Sequence, residues 1–324
     1  MEFMPNFKVH RPISSKEAVK LLGEQSDSKF VAGGTDLIVN VRRGIEQPKN
    51  LIDLSSIAEL REIKENSTGL QIGAGATLNQ LTSNSLIQSN FPAIAEAAAS
   101  VAGGTHQQYG TLGGNLCLDT RCLFYNQSEW WRQSNDYCMK ERGEVCHVAP
   151  GGKRCFAAFS GDVAPAMLIY QAKVILLGPQ GERRIPLAEM YRNDGMNHLT
   201  LTPGELVSKV QLPKSLSGTP SRYEKIRIRG SIDFPLAGVA VRLKMNKKKV
   251  KEISIALTGV NPFPQIITGT DEHIGKSLNE KSLDDLQNSV RKQAKPMKTT
   301  TVAPWYRRRV VGAVAKKLIK ELAV

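Results

Sequence analysis

Residues 111–115 of this chain are Thr111-Leu112-Gly113-Gly114-Asn115, and they open the segment around which the predicted fold is organised. The segment runs to Asp162 and contains all five cysteines of the 324-residue chain. A tight glycine turn lets backbone amides approach a ligand closely, and such amides bind anions. The segment therefore predicts two kinds of site: a phosphate cradle at the turn, and a thiol site in the loop that follows it.

The thiol site is predicted from four cysteines spaced C-x15-C-x7-C-x8-C in a polar, glycine-rich loop. Disulfides need an oxidising compartment, and they are not expected here because no secretory signal is visible in the first residues of the sequence. Zinc sites usually use C-x2-4-C pairs, whereas a cubane cluster accepts ligands from separated points of a wrapping loop. The spacing thus favours a [4Fe–4S] cluster over zinc. Its predicted ligands are Cys122, Cys138, Cys146 and Cys155.

Two neighbouring residues have simpler interpretations than metal ligation. Cys117 follows Gly-Gly-Asn-Leu and is predicted to be a small buried hydrophobe in a short strand. His147, beside Cys146, is an alternative ligand, but a solvated loop histidine explains it equally simply.

The charge balance predicts acidic partners. The chain has 44 Lys plus Arg against 30 Asp plus Glu, a formal net charge of +14. Such an excess suits nucleic acid, an anionic cofactor or an acidic protein. Nucleic acid is the weakest of these, because no helix-turn-helix, zinc-finger or RNP pattern is present. No apolar run approaches the roughly 18 residues that span a membrane, so a soluble, cytoplasmic protein is expected.

A second glycine turn lies near the start of the chain. A predicted strand at 29–32 ends in Gly33-Gly34-Thr35-Asp36-Leu37, where backbone amides suit a phosphate group. An ordinary strand-to-helix turn is the alternative for one such motif, but two of them are more specific. The stretch 70–77 superficially resembles a dinucleotide fingerprint, but Leu78 stands where the third glycine belongs, which excludes a Rossmann site.

The fold class predicted is α+β. We expect a first subdomain at 1–55 and a second at 56–216, with the cysteine-rich loop inserted at 118–160. Both subdomains are expected to be α/β units with mixed sheets. After a linker near residue 217, the segment 217–324 is expected to form a three-stranded antiparallel sheet with helices.

Four motifs together resemble the FAD-binding medium subunit of the xanthine oxidase, or molybdenum hydroxylase, family. They are Ala32-Gly33-Gly34-Thr35-Asp36-Leu37, Ile72-Gly73-Ala74-Gly75-Ala76-Thr77-Leu78, Thr111-Leu112-Gly113-Gly114-Asn115-Leu116 and Trp305-Tyr306-Arg307-Arg308-Arg309. The resemblance covers essentially the whole chain. The cysteine-rich insertion resembles that of the 4-hydroxybenzoyl-CoA reductase β subunit, which holds an additional [4Fe–4S] cluster.

The resemblance implies a set of FAD-binding residues. The first pyrophosphate loop would be Phe30, Val31, Ala32, Gly33, Gly34, Thr35, Asp36 and Leu37, and the second would include Thr111, Gly113, Gly114 and Asn115. Val101 would add backbone contacts, and Asp162 would bind FAD near the flavin ring. Lys225 matches a lysine near the flavin, where a cation favours the anionic reduced form.

The function implied is electron transfer within a larger complex. Electrons from reduced ferredoxin would pass through the [4Fe–4S] cluster and FAD to two [2Fe–2S] clusters on a small subunit. They would then reach a molybdenum cofactor on a large subunit, where 4-hydroxybenzoyl-CoA is reduced to benzoyl-CoA. A dimer of such heterotrimers is expected, with no nucleic acid or membrane partner. The alternatives are an oxidative molybdenum dehydrogenase subunit that passes electrons to NAD or another acceptor, and a zinc-stapled flavin-binding interaction module.

Overall fold

The computed structural model describes residues 4–323, so residues 1–3 and 324 of the predicted domain ranges lie outside it. The strands are β1 Lys8–His10, β2 Ser28–Val31, β3 Asn50–Asp53, β4 Ile63–Asn66, β5 Gly69–Gly73, β6 Lys173–Gly178, β7 Gly181–Pro186, β8 Leu206–Pro213, β9 Ser221–Ile226, β10 Ala237–Asn246, β11 Lys249–Thr258 and β12 Gln265–Ile266. The helices are α1 Ser15–Glu24, α2 Leu37–Arg42, α3 Leu78–Ser83, α4 Ser85–Asn90, α5 Pro92–Ser100, α6 Gly104–Tyr109, α7 Leu112–Leu116, α8 Glu129–Ser134, α9 Val163–Leu168, α10 Glu280–Gln293 and α11 Pro304–Leu322.

The first sheet is small and parallel, with strand order β1-β3-β2. Helix α1 follows β1 and buries Ala18 and Val19 in a core that includes Ile52 of β3. Because parallel strands end at the same edge of a sheet, the glycine turn after β2 opens at the carboxyl edge. This places the first predicted phosphate loop at an edge rather than beneath a helix layer.

The second sheet has the order β4-β5-β8-β6-β7, and every neighbouring pair is antiparallel. The prediction of mixed sheets is therefore corrected, since each sheet contains one kind of pairing. The α+β class itself is confirmed, because helices and the two kinds of sheet occur in separate layers. The direction of strand pairing could not be predicted from the sequence, because β5 pairs with β8, more than a hundred residues later, and no local pattern identifies that partner strand.

The third sheet is antiparallel, with order β12-β11-β10-β9, and α10 and α11 pack on it. Three of its strands were predicted, but the sheet has four. The strand that the prediction lacks, β12, has only two residues, Gln265 and Ile266, too short for a recognisable alternating pattern. The buried Arg307 of α11 donates to the carbonyl oxygen of Leu236, directly before β10 (2.9 Å), and to that of Met297, in the connection between α10 and α11 (2.9 Å).

Helix α5 connects the second and third sheets. Its alanines, including Ala93, Ala97 and Ala98, are fully buried, so β9 can approach the helix closely. The Ser221 hydroxyl accepts from the Ala93 amide (3.1 Å), and the Glu96 carboxylate accepts from the Tyr223 amide (2.7 Å). These two hydrogen bonds hold β9 against α5. In the part of the chain that the structure describes, no helix has the length and apolar character needed to cross a bilayer.

Candidate flavin site and cysteine pocket

A cavity of about 730 Å³ lies where the first sheet, helix α5 and the start of the cysteine-rich loop meet. Most of the predicted cofactor residues line it, although they come from five separate parts of the chain. The predicted residues on its wall are Phe30, Val31, Ala32, Gly33, Gly34, Thr35, Asp36, Leu37, Val101, Thr111, Gly114, Asn115, Asp162 and Lys225. The fold thus brings together residues that the sequence separates by up to about two hundred positions.

The first glycine loop has the backbone geometry of an anion cradle. Gly34 has φ +68°, a conformation that favours glycine. A Cβ on Gly33 would lie 1.8 Å from the Tyr109 carbonyl oxygen, so only glycine fits against the segment that precedes the second loop. Within residues 4–323, the amides of Gly33, Gly34 and Thr35 donate no hydrogen bond to the chain. These unused donors suit the oxygens of a phosphate.

The second glycine loop is the start of the short helix α7. The Thr111 hydroxyl caps it by accepting from the Gly114 amide (3.1 Å). Gly113 does not line the cavity; its amide donates to the Ala74 carbonyl oxygen (2.7 Å), and a Cβ there would meet the Ala74 Cβ at 2.9 Å. Gly113 therefore shapes the turn, while Thr111, Gly114 and Asn115 face the cavity.

One wall of the cavity carries a buried ion pair. Lys225 Nζ donates to Asp162 Oδ2 (2.9 Å), and both side chains are 3% exposed. The Tyr223 hydroxyl donates to Asp162 Oδ1 (2.6 Å), and Lys225 also donates to the Ser100 carbonyl oxygen (3.1 Å). Burial raises the pKa of Asp162, while Lys225 and Tyr223 oppose that rise. The pair offers a fixed cation and an acceptor to any ligand in the cavity.

Val101 lies at the end of α5, where its carbonyl oxygen accepts from Gln107 Nε2 (2.9 Å). The next residue, Ala102, has φ +44°, and its carbonyl oxygen accepts from the Ile232 amide (2.8 Å). That bond draws the β9–β10 loop over the cavity. Ile232 and Phe234 of this loop are about half exposed and line the cavity, so they supply an apolar surface at its mouth.

Arg121 is a cavity residue that the sequence did not single out. Its guanidinium pairs with Asp36, stacks on the Phe234 ring at 4.7 Å and donates to Asn40 Oδ1 (3.3 Å). Burial lowers its pKa to about 10. Its Nε has no hydrogen-bond partner in the described chain. Its position directly before the ligand candidate Cys122 was the available signal.

His198 is a second unpredicted cavity residue. It is 7% exposed and its Nε2 lies 3.0 Å from the Leu118 carbonyl oxygen. Burial lowers the pKa of His198 to about 4, so its imidazole is neutral at pH 7. An uncharged donor at this wall holds the chain between the second glycine loop and the cysteine loop.

The four predicted ligand cysteines converge on a second, smaller cavity. Cys122, Cys138, Cys146 and Cys155 all line it, together with Phe124, Tyr125, Met139, Lys140, His147, Val148 and Ala157. All five cysteines of the chain are free thiols. Among residues 4–323, no three or more His, Cys, Asp or Glu side chains are arranged to hold one metal ion.

Backbone amides point at three of these sulfurs. The Ala157 amide donates to Cys155 Sγ (3.4 Å), and the Phe124 and Tyr125 amides favour the thiolate form of Cys122 by lowering its pKa. The amides of Lys140 and Glu141 do the same for Cys138. Burial nevertheless raises the pKa of all three thiols, to about 12 for Cys155. Amides aimed at sulfur stabilise negative charge there, as thiolate ligands require.

The structure places Cys117 and His147 in different cavities. The prediction of a buried strand at Cys117 is wrong, because this residue ends helix α7 and lines the larger cavity instead. The Cys117 amide donates to the carbonyl oxygen of Gly113, four residues earlier, as in a helix. This bond extends the helical turn to Cys117, so the residue does not form a strand. His147 lines the cysteine pocket, where its Nε2 lies 2.8 Å from the Tyr137 carbonyl oxygen.

The two cavities share a wall. Asp119 lines the larger cavity, and Lys140 lines the cysteine pocket. Lys140 Nζ, on a side chain only 4% exposed, donates to Asp119 Oδ1 (2.7 Å) and to the carbonyl oxygens of Thr120 (3.1 Å) and Gly195 (3.1 Å). The segment 117–122 therefore runs directly from one cavity to the other.

The fold and the larger cavity define a flavin-binding chain, and comparison with known proteins agrees. The FAD binding domain in molybdopterin dehydrogenase matches residues 5–215, and the CO dehydrogenase flavoprotein C-terminal domain matches residues 221–322. The chain belongs to the FAD-binding medium subunits of the molybdenum hydroxylase family.

Relatives match over nearly their full length. The carbon monoxide dehydrogenase medium chain of Hydrogenophaga pseudoflava is 28% identical, covering 97% of this chain and 96% of the relative. The glyceraldehyde dehydrogenase medium chain of Sulfolobus acidocaldarius is 25% identical, covering 99% and 100%. In the reconstituted CO dehydrogenase from Oligotropha carboxidovorans, one chain superposes with a TM-score of 0.82 at 25% identity, covering 99% of each. The chain is therefore an oxidoreductase subunit.

Proposed function

We propose that this chain is an electron-transfer subunit that holds FAD in the larger cavity. The observation that carries the proposal is the pair of glycine loops, which meet at one cavity and leave amides of the first loop unused. The loops 30–37 and 111–115 would hold the pyrophosphate, and Val101 would contribute backbone contacts. Asp162 and Lys225 would lie against the flavin ring system.

The ion pair defines what the chain contributes to the bound flavin. FAD, when bound, exchanges one or two electrons. Lys225 places a buried positive charge at the cavity wall, which favours the reduced, anionic flavin, and Asp162 with Tyr223 holds the Lys225 ammonium in place. The apolar surface of Ile232 and Phe234 would exclude water from the mouth.

We also propose that Cys122, Cys138, Cys146 and Cys155 hold a [4Fe–4S] cluster. Each ligand of a cubane binds a different iron, so its four sulfurs stand farther apart than the ligands of one ion. Four thiols around one pocket, with amides directed at three sulfurs, support this assignment more than a zinc staple. The shared wall at Asp119 and Lys140 would place cluster and flavin next to each other.

Within the complex, we propose that electrons enter from reduced ferredoxin and leave towards a small subunit with two [2Fe–2S] clusters. A large molybdenum subunit would then reduce 4-hydroxybenzoyl-CoA to benzoyl-CoA, in a dimer of heterotrimers in the cytoplasm. The cysteine insertion supports the reductive direction, since a low-potential cluster suits a strong one-electron donor. A division of the chain near residues 55 and 216 is part of the proposal, and family matches that separate between 215 and 221 support the second boundary.

A second candidate is an oxidative dehydrogenase subunit, in which electrons flow from molybdenum through FAD to NAD or another acceptor. The relatives named carbon monoxide dehydrogenase and glyceraldehyde dehydrogenase favour it. Rapid NAD reduction by the complex with an oxidisable substrate, and no ferredoxin-driven reduction, would select this candidate.

The deciding experiment is anaerobic purification followed by analysis of iron, acid-labile sulfide, zinc and flavin for each chain. About four irons and four sulfides are expected beside one FAD. One zinc without sulfide would replace the cluster with a structural staple. Truncation of the loop within residues 123–154, which leaves the cavity residues Asp119 and Arg121 in place, should then abolish ferredoxin-driven reduction while FAD stays bound. Loss of FAD as well would make the loop a folding element.

A further inference from the structure

Helices α10 and α11 pack side by side, and the charges at one end of the pair are neutralised. Lys316 pairs with Asp284 (2.6 Å), and Lys320 pairs with Glu280 (2.7 Å), so acids near the start of α10 meet lysines near the end of α11. Lys317 pairs with Glu224 of β9 (2.7 Å). The lysines of this end are therefore engaged within the chain.

The opposite end of the same pair has cations without acids. A shallow depression of about 360 Å³, here called the basic cleft, is lined by Asn288, Arg291, Lys292, Lys295 and Arg308. In residues 4–323, none of these four cations forms an ion pair. All four are exposed. The cleft is thus a concentrated part of the +14 net charge.

The cleft is built at a cost to stability. Arg308 lies near the amino-terminal end of α11, where the helix dipole is positive, and the first turn has no acidic residue. Gly312, in the middle of α11, admits the stem of Arg291, whose Cγ would lie 2.5 Å from a Cβ at that position. A helix-interior glycine costs about 1 kcal/mol relative to alanine. The fold thus places the guanidinium groups of Arg291 and Arg308 at the cleft without giving either an ion-pair partner among the described residues.

Exposed aromatic side chains lie near Arg308 in the first turns of α11. Trp305 is 67% exposed and Tyr306 is 40% exposed, and their rings contact each other edge to face. Arginine and aromatic residues are enriched at protein interfaces, where they carry much of the binding energy. The open shape and the exposed aromatic side chains on the same helix suit the surface of a protein better than a single phosphate group.

The connection between α10 and α11 joins the cleft to the cysteine loop. The Leu123 amide donates to the Thr299 carbonyl oxygen (2.8 Å). Leu123 is the residue after Cys122, and Thr299 lies four residues beyond Lys295. Arg307, next to Arg308, donates to Thr299 Oγ1 (3.2 Å). The segment 295–299 therefore connects the basic cleft to the loop where the cluster is proposed.

We propose that the basic cleft docks an acidic, one-electron carrier protein that reduces the cluster. The inference rests on the proposed function, which it extends by assigning the docking surface. Each docked carrier is oxidised by one electron and the chain is reduced by one. Two carriers, with protons from solvent, then supply the two electrons that fully reduce FAD. Opposite charges on the two proteins would accelerate their encounter, and salt would slow it.

The test uses the assembled holo-complex, with cluster and FAD content measured first, and stopped-flow reduction by an acidic clostridial-type 2[4Fe–4S] ferredoxin. The triple variant Arg291→Glu, Lys292→Glu, Arg308→Glu should lower the second-order rate constant at low salt about tenfold or more and flatten its salt dependence. Reduction by dithionite should stay unchanged, since it needs no docking.

A matched control is Lys247→Glu, Lys248→Glu, Lys251→Glu, which makes the same change in net charge at the β10–β11 hairpin. That hairpin lies beside Ser277, just before α10, at the neutralised end. Equal slowing in both triple variants would mean a net-charge effect and would overturn the assignment. So would slowing in Lys153→Glu alone, which would place docking on the cysteine loop.

The outcomes separate the two proposals. If the cluster is present and ferredoxin reduces the complex, but the cleft variant is not slowed, the docking surface is overturned and the proposed function stays intact. A complex with only about four irons for each heterotrimer, the number that two [2Fe–2S] clusters supply, overturns both, because the cysteine pocket would then hold no cluster for the carrier to reduce.

Discussion

The two cavities of this chain are lined by different kinds of chemical group. The larger cavity, here called the flavin cavity because it is proposed to hold FAD, is lined by the backbone of two glycine loops and by side chains from several elements, including the Asp162–Lys225 pair. The cysteine pocket is lined by thiols from one long loop, in which the described residues form the short helix α8 and one isolated β-bridge, between Arg121 and Ala158. The first is therefore shaped before its ligand binds, whereas the second is expected to depend on its metal for order.

The largest effect is expected at the cysteine pocket. Cys146→Ser should reduce iron from about four atoms for each chain to near zero, because a cubane needs all its ligands. FAD content should remain, since the flavin cavity is independently built. Cys117→Ser serves as the matched control, because Cys117 lies on the flavin side of the shared wall. Equal iron in Cys146→Ser and the parent chain would remove Cys146 from the ligand set.

The next effect tests whether the flavin cavity depends on backbone shape. Gly33→Ala places a methyl group against the Tyr109 carbonyl oxygen, so the loops must separate. We expect the free energy of unfolding to fall by about 1–3 kcal/mol, and FAD affinity to fall at least about tenfold. Gly23→Ala in α1, where nothing lies within 4 Å, should instead be neutral or stabilising by roughly 0.5–1 kcal/mol. A Gly33→Ala chain that retains FAD at parental affinity contradicts the cradle.

A third prediction concerns the pH dependence of the flavin cavity. His198 is neutral in the folded chain because burial lowers its pKa to about 4, so protonation favours the unfolded chain. Its stabilising contribution is complete above about pH 6.5 and is lost as the pH falls towards 4. Between pH 7 and pH 5 this residue should remove about 2 kcal/mol from the free energy of unfolding. Urea unfolding at both pH values measures the loss.

The control for that prediction is His198→Gln, which can still donate to the Leu118 carbonyl oxygen but does not titrate. The difference in pH dependence between the two proteins isolates the imidazole from the carboxylates. Identical pH profiles would mean that His198 is already solvated in the folded chain.

The smallest effect is expected at the cavity rim. Arg43 lines the cavity, is exposed, and has no ion-pair partner in the described chain. Arg43→Gln should weaken FAD binding less than about tenfold, since exposed charge pairs contribute at most about 1 kcal/mol. The loss should shrink at high salt in fluorescence titrations. A loss of FAD affinity that does not depend on the salt concentration would indicate a packing contribution of Arg43 instead of a charge contribution.

The sequence by itself determined the α+β class, the two glycine loops and the candidate ligand cysteines. These features are local. A strand that ends in glycines, or a group of thiols in a polar loop, can be recognised from neighbouring residues alone, whatever the rest of the fold. The capped turn at Thr111 and the helices near residues 280–293 and 304–322 were also predictable from local pattern, because caps and apolar stripes act within one element.

Only the tertiary structure decided pairing and proximity. The pairing of β5 with β8, the fourth strand at Gln265–Ile266 and the position of Cys117 at the end of α7 depend on partners that no short window contains. The same holds for Arg121 against Asp36 and Phe234, and for Lys140 between the cavities. Burial and charge pairing arise from the whole fold, so a residue's chemistry can be seen in the sequence while its neighbours cannot.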